Sequence, residues 1–311
     1  MIVRSMDMIE IVATAESVDQ AKDLIAAGVD TLYIGNDEFG LRLPHSFSHE
    51  EMQQVIDLAH EADRKVCVAV NGLMHNEHIK EVVPYLEFLQ EAGADSITVG
   101  DPGVIHLMKK HDIKVPYIYD GHTLVTNARQ VNFWAKRGAI GAVMAREVPY
   151  LELKEISGQI TVPVEILVYG ATCIHHSKRP LVKNYFNYVD KEMPQHKGMF
   201  LAEPKNKDTH YSIFEDRNGT HIFATDDVNL LPHLPKLVDL GLNQWKLDGI
   251  FTRGERFVQI ADIFVQAKQA FENNTITEEQ LQKWNEQLLK LHPEERTLSD
   301  GFFSKDPKEV Q

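Results

Sequence analysis

A chain of 311 residues with 43% hydrophobic and 25% charged residues is too apolar for a disordered polymer and matches one α/β barrel, which typically runs to ~250 residues. A net charge of −14 argues against a broadly basic nucleic-acid surface, and the lack of an ~18-residue uncharged apolar run argues against a membrane span. Two cysteines, Cys67 and Cys173, exclude a disulfide framework and any four-cysteine zinc or iron–sulfur site built by this chain alone.

One pattern recurs along the chain: a short β-rich run, a small or polar residue, then an amphipathic helical stretch. IEIVA (9–13) precedes a helix that ends at Gly28, and TLYIG (31–35) precedes a helix opened by Ser48 and Glu51 in a capping-box arrangement. KVCVAVN (65–71), SITVG (96–100) with Asp101-Pro102-Gly103 behind it, PYIYD (116–120) and AIGAVMAR (139–146) continue the series. VEILVYG (164–170) is the seventh run and QWKLDG (244–249) the eighth. Near-continuous apolar strands alternating with helices predict a parallel sheet, and eight units predict closure into a (β/α)8 TIM-like barrel. Gly28, Gly93 and Gly138 end successive helices, and Asp30 and Asp95 follow the first two by two residues, as in one repeated unit.

The predicted organisation is a barrel domain over 1–274, interrupted by an insertion at about 171–243, and a helical C-terminal tail over 275–311. The insertion carries HYSIFED-RNGT-HIFAT, a strand–turn–strand with Asn218-Gly219 as the hairpin signal. It leaves the C-terminal end of a strand, the face on which barrel enzymes place their chemistry. The absence of an apolar leader at the N-terminus places the chain in the reducing cytoplasm.

Polar residues at strand ends form the expected ligand-binding ring: Asn71, Asp101, Asp120 with His122, Arg146 with Glu147, Tyr169, Lys246 and Asp248. Each could instead cap a helix. Glu165, at the start of the seventh run, is expected inside the barrel as an ion-pair partner of Lys246. Arg42, Arg146, Arg179 and Lys246 in an acidic chain suggest an anionic small molecule as ligand. The segment from Tyr169 to Arg179 crowds Cys173, His175 and His176 beside two cations. A nucleophilic thiol with a neighbouring histidine base is one reading. A metal site is another, although adjacent histidines lack the i, i+4 spacing of ligands on one helical face, and no metal-ligand set is assigned. Gly-x-Gly-x-x-Gly, Walker, Gly-x-Ser-x-Gly and His-Glu-x-x-His motifs do not occur.

These segments resemble the collagenase-like peptidase U32 family. The blocks IEIVATAES, KVCVAVNGLMHNEH, LQEAGADSITVGDPGVI and VMAREVP are similar to its successive strands, and the likeness covers about residues 8–270. It is densest at Glu165-Ile-Leu-Val-Tyr169-Gly-Ala-Thr-Cys173, which follows the family's Glu, aromatic, Gly, small, Cys signature. Gln244-Trp-Lys-Leu-Asp-Gly249 resembles its Lys-Ile-Glu-Gly strand, and Arg296 to Phe303 resembles a C-terminal motif of longer members. Leu167 and Thr172 depart from the signature, and Lys178-Arg179-Pro180 stands where it continues to Gly-x-Cys.

The resemblance implies two readings. One is a role in prephenate-dependent 5-hydroxylation of the tRNA wobble uridine, since the chain is similar to the short, cysteine-poor form that accompanies a longer cysteine-rich paralogue. This chain would then carry no cofactor itself, the paralogue would hold an iron–sulfur cluster, and tRNA would be reached indirectly. The other is peptide hydrolysis, as the family name states. A non-catalytic anion-binding scaffold subunit is a third alternative.

Overall fold

The computed structural model describes residues 8–193 and 198–310. Seven strand–helix units lead the chain. They are β1 (Glu10–Thr14) and α1 (Val18–Ala27), β2 (Thr31–Ile34) and α2 (His49–Glu61), then β3 (Lys65–Val70) and α3 (His78–Ala92). Next come β4 (Ser96–Val99) and α4 (Pro102–Lys110), β5 (Tyr117–Tyr119) and α5 (Ala128–Ala135), then β6 (Ala139–Val143) and α6 (Tyr150–Ser157). The seventh strand, β7 (Val164–Ser177), runs on through the Cys/His segment and is followed by α7 (Leu181–Tyr188). The insertion continues as β8 (Met199–Glu203), β9 (Asn206–Asp216), β10 (Gly219–Asn229) and α8 (Leu234–Asp239). β11 (Gln244–Leu247) completes the barrel and α9 (Gly254–Glu272) covers it. The tail adds α10 (Glu278–Leu291), β12 (Thr297–Ser299) and α11 (Pro307–Val310).

Strands β1 to β7 pair in parallel sequence, and β11 pairs in parallel with both β7 and β1, so the eight-stranded sheet closes on itself. Alternate residues sort to two environments, as a strand's period of two requires. Ile11, Ala13, Leu32, Ile34, Val66 and Val68 join the large core under the helices, whereas Val12, Tyr33, Cys67 and Ala69 form a small cluster inside the barrel.

The repeated Gly-x-Asp unit has a mechanical reason. Gly28 and Gly93 end α1 and α3 in the left-handed conformation that glycine adopts without strain. The aspartate two residues on then accepts a backbone N–H from the preceding strand: Asp30 from Ile11 and Asp95 from Val66, each at 2.8 Å. Helix starts follow their sequence signals too. Ser48 and Glu51 form a reciprocal capping box, and Asp101 caps α4 through the Gly103 amide.

The insertion is not a free excursion. β10 pairs antiparallel with the extension of β7, β9 with β10, and β8 with β9, so the barrel sheet grows a side sheet over its mouth. Asn218-Gly219 makes the turn between β9 and β10; Gly219 has φ +109 and any Cβ there would lie 2.0 Å from the Ser177 carbonyl. The tail fastens this sheet, because β12 pairs in parallel with β10 and Arg296 sends Nε to Asp227 at 2.9 Å.

Candidate functional site

A cavity of about 350 Å³ opens at the carboxyl ends of the barrel strands and under the β7–β10 ribbon. Asn71, His122, Arg146, Glu165, Lys246 and Asp248 all line it, as do Cys173, His175 and His176. Residues that the sequence reading drew from five strands thus meet in one place. Two members of the expected ring stand elsewhere. Asp101 is used as the cap of α4, and Tyr169 is fully buried on the helix side of β7, where its hydroxyl meets Thr252 at 2.9 Å and His292 Nδ1 at 2.8 Å. The cause for Tyr169 is a bulge: Lys246 pairs with Leu167 but Leu247 pairs with Tyr169, so the extra residue Val168 breaks the alternation counted from Glu165.

One wall is a hydrogen-bonded chain. Asn71 donates to Asp120 Oδ2 at 2.6 Å and accepts the Leu41 amide at 3.0 Å. Asp120 also accepts the His122 amide at 3.1 Å. Burial raises the Asp120 pKa, but His122, Asn71 and Arg42 outweigh it and hold the carboxyl below its ordinary range. His122 is bonded at both ring nitrogens, to the Asn71 carbonyl at 3.1 Å through Nε2 and to the Arg42 guanidinium at 2.8 Å through Nδ1. A guanidinium only donates and a carbonyl only accepts, so the ring is neutral with its proton on Nε2. Its lowered pKa agrees: burial is the main cause, and Arg42 adds to it against Asp120. Arg42 and His122 both have positive φ, +55 and +54, backbone strain of the kind that clusters at functional loops.

The floor is an acid–base couple. Lys246 Nζ lies 3.9 Å from Glu165 and 3.1 Å from the centre of the Tyr33 ring, with all three side chains buried. Burial raises Glu165 and lowers Lys246, in each case against the attraction of the partner. The two shifts run toward each other, the direction that suits an acid–base pair. The ion pair expected from the sequence exists, and it faces the cavity. Arg146 binds the Ala171 carbonyl and reaches Asp248 at 3.4 Å. Gly170 allows that closeness: at φ +121, a Cβ would lie 2.3 Å from the Asp248 carbonyl oxygen.

On the ribbon, the Cys173 thiol donates to the His175 carbonyl at 3.3 Å. His176 uses Nε2 on the Asn218 carbonyl at 2.9 Å, and its pKa falls to about 4, chiefly through burial. Its Nε2 is thus committed to the hairpin turn. His221 of β10, a residue absent from the expected set, lies on the same ladder, and its imidazole favours the thiol's anion. A sequence signal for it existed in the Asn218-Gly219 turn, which fixes the hairpin register, but it points to Cys173 only if β7 extends past Gly170.

Residues 16–311 match the family model described as Peptidase family U32. The tRNA hydroxylation protein P2 of Bacillus subtilis is 35% identical over 303 residues, covering 96% of this chain and 98% of that protein. The tRNA hydroxylation protein P1 of the same organism is 24% identical over 310 residues, covering 96% of this chain and 71% of that longer protein. Among solved structures, the U32 peptidase Mk0906 superposes with a TM-score of 0.50 at 13% identity, covering 80% of this chain and 95% of its own, and shares the fold. With nearly its whole length matched by the family model and by a relative of equal extent, this chain belongs to peptidase family U32.

Proposed function

We propose that this chain is the short subunit of a cytoplasmic tRNA-hydroxylating assembly that acts at the 5-position of the wobble uridine with a longer, cysteine-rich paralogue. The observation that carries the reading is the end-to-end likeness, at 35% identity, to a tRNA hydroxylation protein P2. Support for two unequal subunits comes from the same organism's P1 relative, of which this chain covers 71%.

The chain's own donors do not fit an iron–sulfur cluster. Cys67 is buried inside the barrel with its thiol pushed up to about 12 by burial, and Cys173 stands apart on the ribbon. Among the described residues, no group of three His, Cys, Asp or Glu side chains is placed to hold a metal ion. Redox chemistry therefore falls to the paralogue in this proposal.

This subunit contributes the cavity. Arg42, Arg146 and Lys246 suit a small anionic co-substrate, with prephenate the candidate, and the Glu165–Lys246 couple is placed to move a proton on it. With a net charge of −14, contact with tRNA is assigned to the partner. No helix among the described residues is long and apolar enough to cross a membrane.

The test is mass spectrometry of bulk tRNA from strains lacking this gene, the paralogue's gene, or both. Loss of wobble-uridine 5-hydroxylation in each strain is expected. Undiminished hydroxylation in the double deletion overturns the proposal.

A further inference from the structure

The β9–β10 hairpin brings a second set of titratable groups to the cavity rim. His221 is fully buried on β10, between the His176 ring stacked at 4.5 Å and the Phe214 ring at 5.0 Å. Its Nε2 meets Asp216 Oδ1 at 3.0 Å, and Asp216 is itself held by the Asn218 amide at 2.7 Å. A carboxylate accepts, so Nε2 carries the proton and Nδ1 presents its lone pair. Among the described residues Nδ1 has no conventional hydrogen-bond partner, although it is buried. The strand register sets His221 opposite His176 and Phe223 opposite Cys173, so His221 and Cys173 stand two positions apart on one ladder, and the thiol lines the cavity.

We propose that Cys173, His221 and Asp216 form an activated thiol site whose ligand is a small carboxylate- or phosphate-bearing electrophile held in the barrel cavity. Against the carboxylates Asp120, Glu147, Glu165 and Asp248 that line the same cavity, three groups around the thiol favour its anion. They are His221 from β10, Arg42 from the β2–α2 loop and Arg146 from beyond β6; Asp216 and His176 flank the imidazole. Burial raises the thiol's pKa, yet His221, Arg42 and Arg146 outweigh it and leave it lowered. Burial lowers His221, and Asp216 and Cys173 outweigh that in turn, against Arg42, leaving it raised. The two shifts run toward each other, so Nδ1 of His221 is suited to take the thiol proton as the sulfur attacks. The cavity's volume of about 350 Å³ suits a metabolite, and its two guanidinium groups select a negative charge.

In the step itself a sulfur–carbon bond forms. With a carbonyl ligand the C=O π pair moves to oxygen, which takes the proton held on His221. With the probe iodoacetate, the carbon–iodine bond breaks, iodide leaves with the electron pair, and the proton stays on His221. No oxidant or reductant is needed.

The experiment labels the full-length chain with iodoacetate or iodoacetamide and follows each cysteine by mass spectrometry across pH. It involves neither tRNA nor the paralogue, so its outcome is separate from that of the tRNA reading. Relative to the same ratio in urea-unfolded chain, Cys173 should favour iodoacetate about tenfold, and added salt should erode the preference. The rate should rise with a midpoint below the ordinary thiol value of about 8.5. His221→Asn should return the midpoint to the ordinary range, and Asp216→Asn should move it part of the way. Cys67, sealed in the barrel, labels only when the chain opens and so reports folding in the same tube. Equal relative rates for the two probes, an ordinary midpoint in the native chain, or an unmoved midpoint in both folded variants each overturns the proposal. If a variant unfolds, the charge preference and midpoint of the native chain decide alone.

Discussion

Lys246 stands over the Tyr33 ring with Glu165 as its carboxylate neighbour, and what happens when it is removed depends on pH. Breaking a buried pair costs roughly 3–5 kcal/mol when the survivor stays charged. In Lys246→Met, Glu165 escapes part of that by taking up a proton. A carboxyl whose folded pKa is raised contributes stability fully below its unfolded value and loses it as pH rises through the folded value. The variant should therefore lie closest to the native chain at about pH 5, and fall behind by up to about 1.4 kcal/mol per pH unit as the solution becomes alkaline. Urea unfolding at the two ends of that range checks it; a pH-independent difference would show that Glu165 does not titrate. The sequence revealed this couple because both residues fall in strands with strong apolar patterns. It did not reveal His221, whose relation to Cys173 depends on a ladder between residues about fifty positions apart, formed only when β7 runs on to Ser177.

At the level of elements, legibility follows locality. The capping box at Ser48, the glycine stops at Gly28 and Gly93 and the Asn218-Gly219 hairpin are each written within a few residues and form as expected, whereas α5 ends at Ala135, short of the expected stop at Gly138. The length of β7 is written nowhere nearby. Its second half, Thr172-Cys173-Ile174-His175-His176, has the polarity of a loop and becomes strand only because β10 supplies the hydrogen bonds. The tail behaves the same way: Arg296 finds Asp227, Ser212 and the Ala224 carbonyl on two insertion strands, and stacks 4.4 Å over Phe251. Arg296 and Asp227 are both almost fully buried, so Arg296→Ala takes the guanidinium from a carboxylate that keeps His292 at 3.8 Å as a neighbour, and should cost about 3–5 kcal/mol by denaturant unfolding. Replacing both residues by apolar ones of similar size should cost clearly less. If the single change is as mild as the double, Arg296 does not hold the tail.

For the molecule as a whole, the barrel was readable because eight repeats of one unit leave a parallel sheet few ways to satisfy its edges. The net charge of −14 sets a further expectation under the proposed function. This chain alone should leave tRNA unshifted in a gel at physiological salt, and a shift should appear when the paralogue is added. A salt-sensitive shift by the isolated chain would instead assign it a local basic face.

Closure of the ring joins Glu10 to Gln244, positions 234 residues apart. A ribosome must therefore extrude more than three-quarters of the polypeptide before the first strand meets its final neighbour. Until then β1 presents a naked edge, the arrangement most prone to illicit pairing with another nascent copy. Late completion of this kind should make yield at high expression more sensitive to defects in β11 than to equal defects in β2.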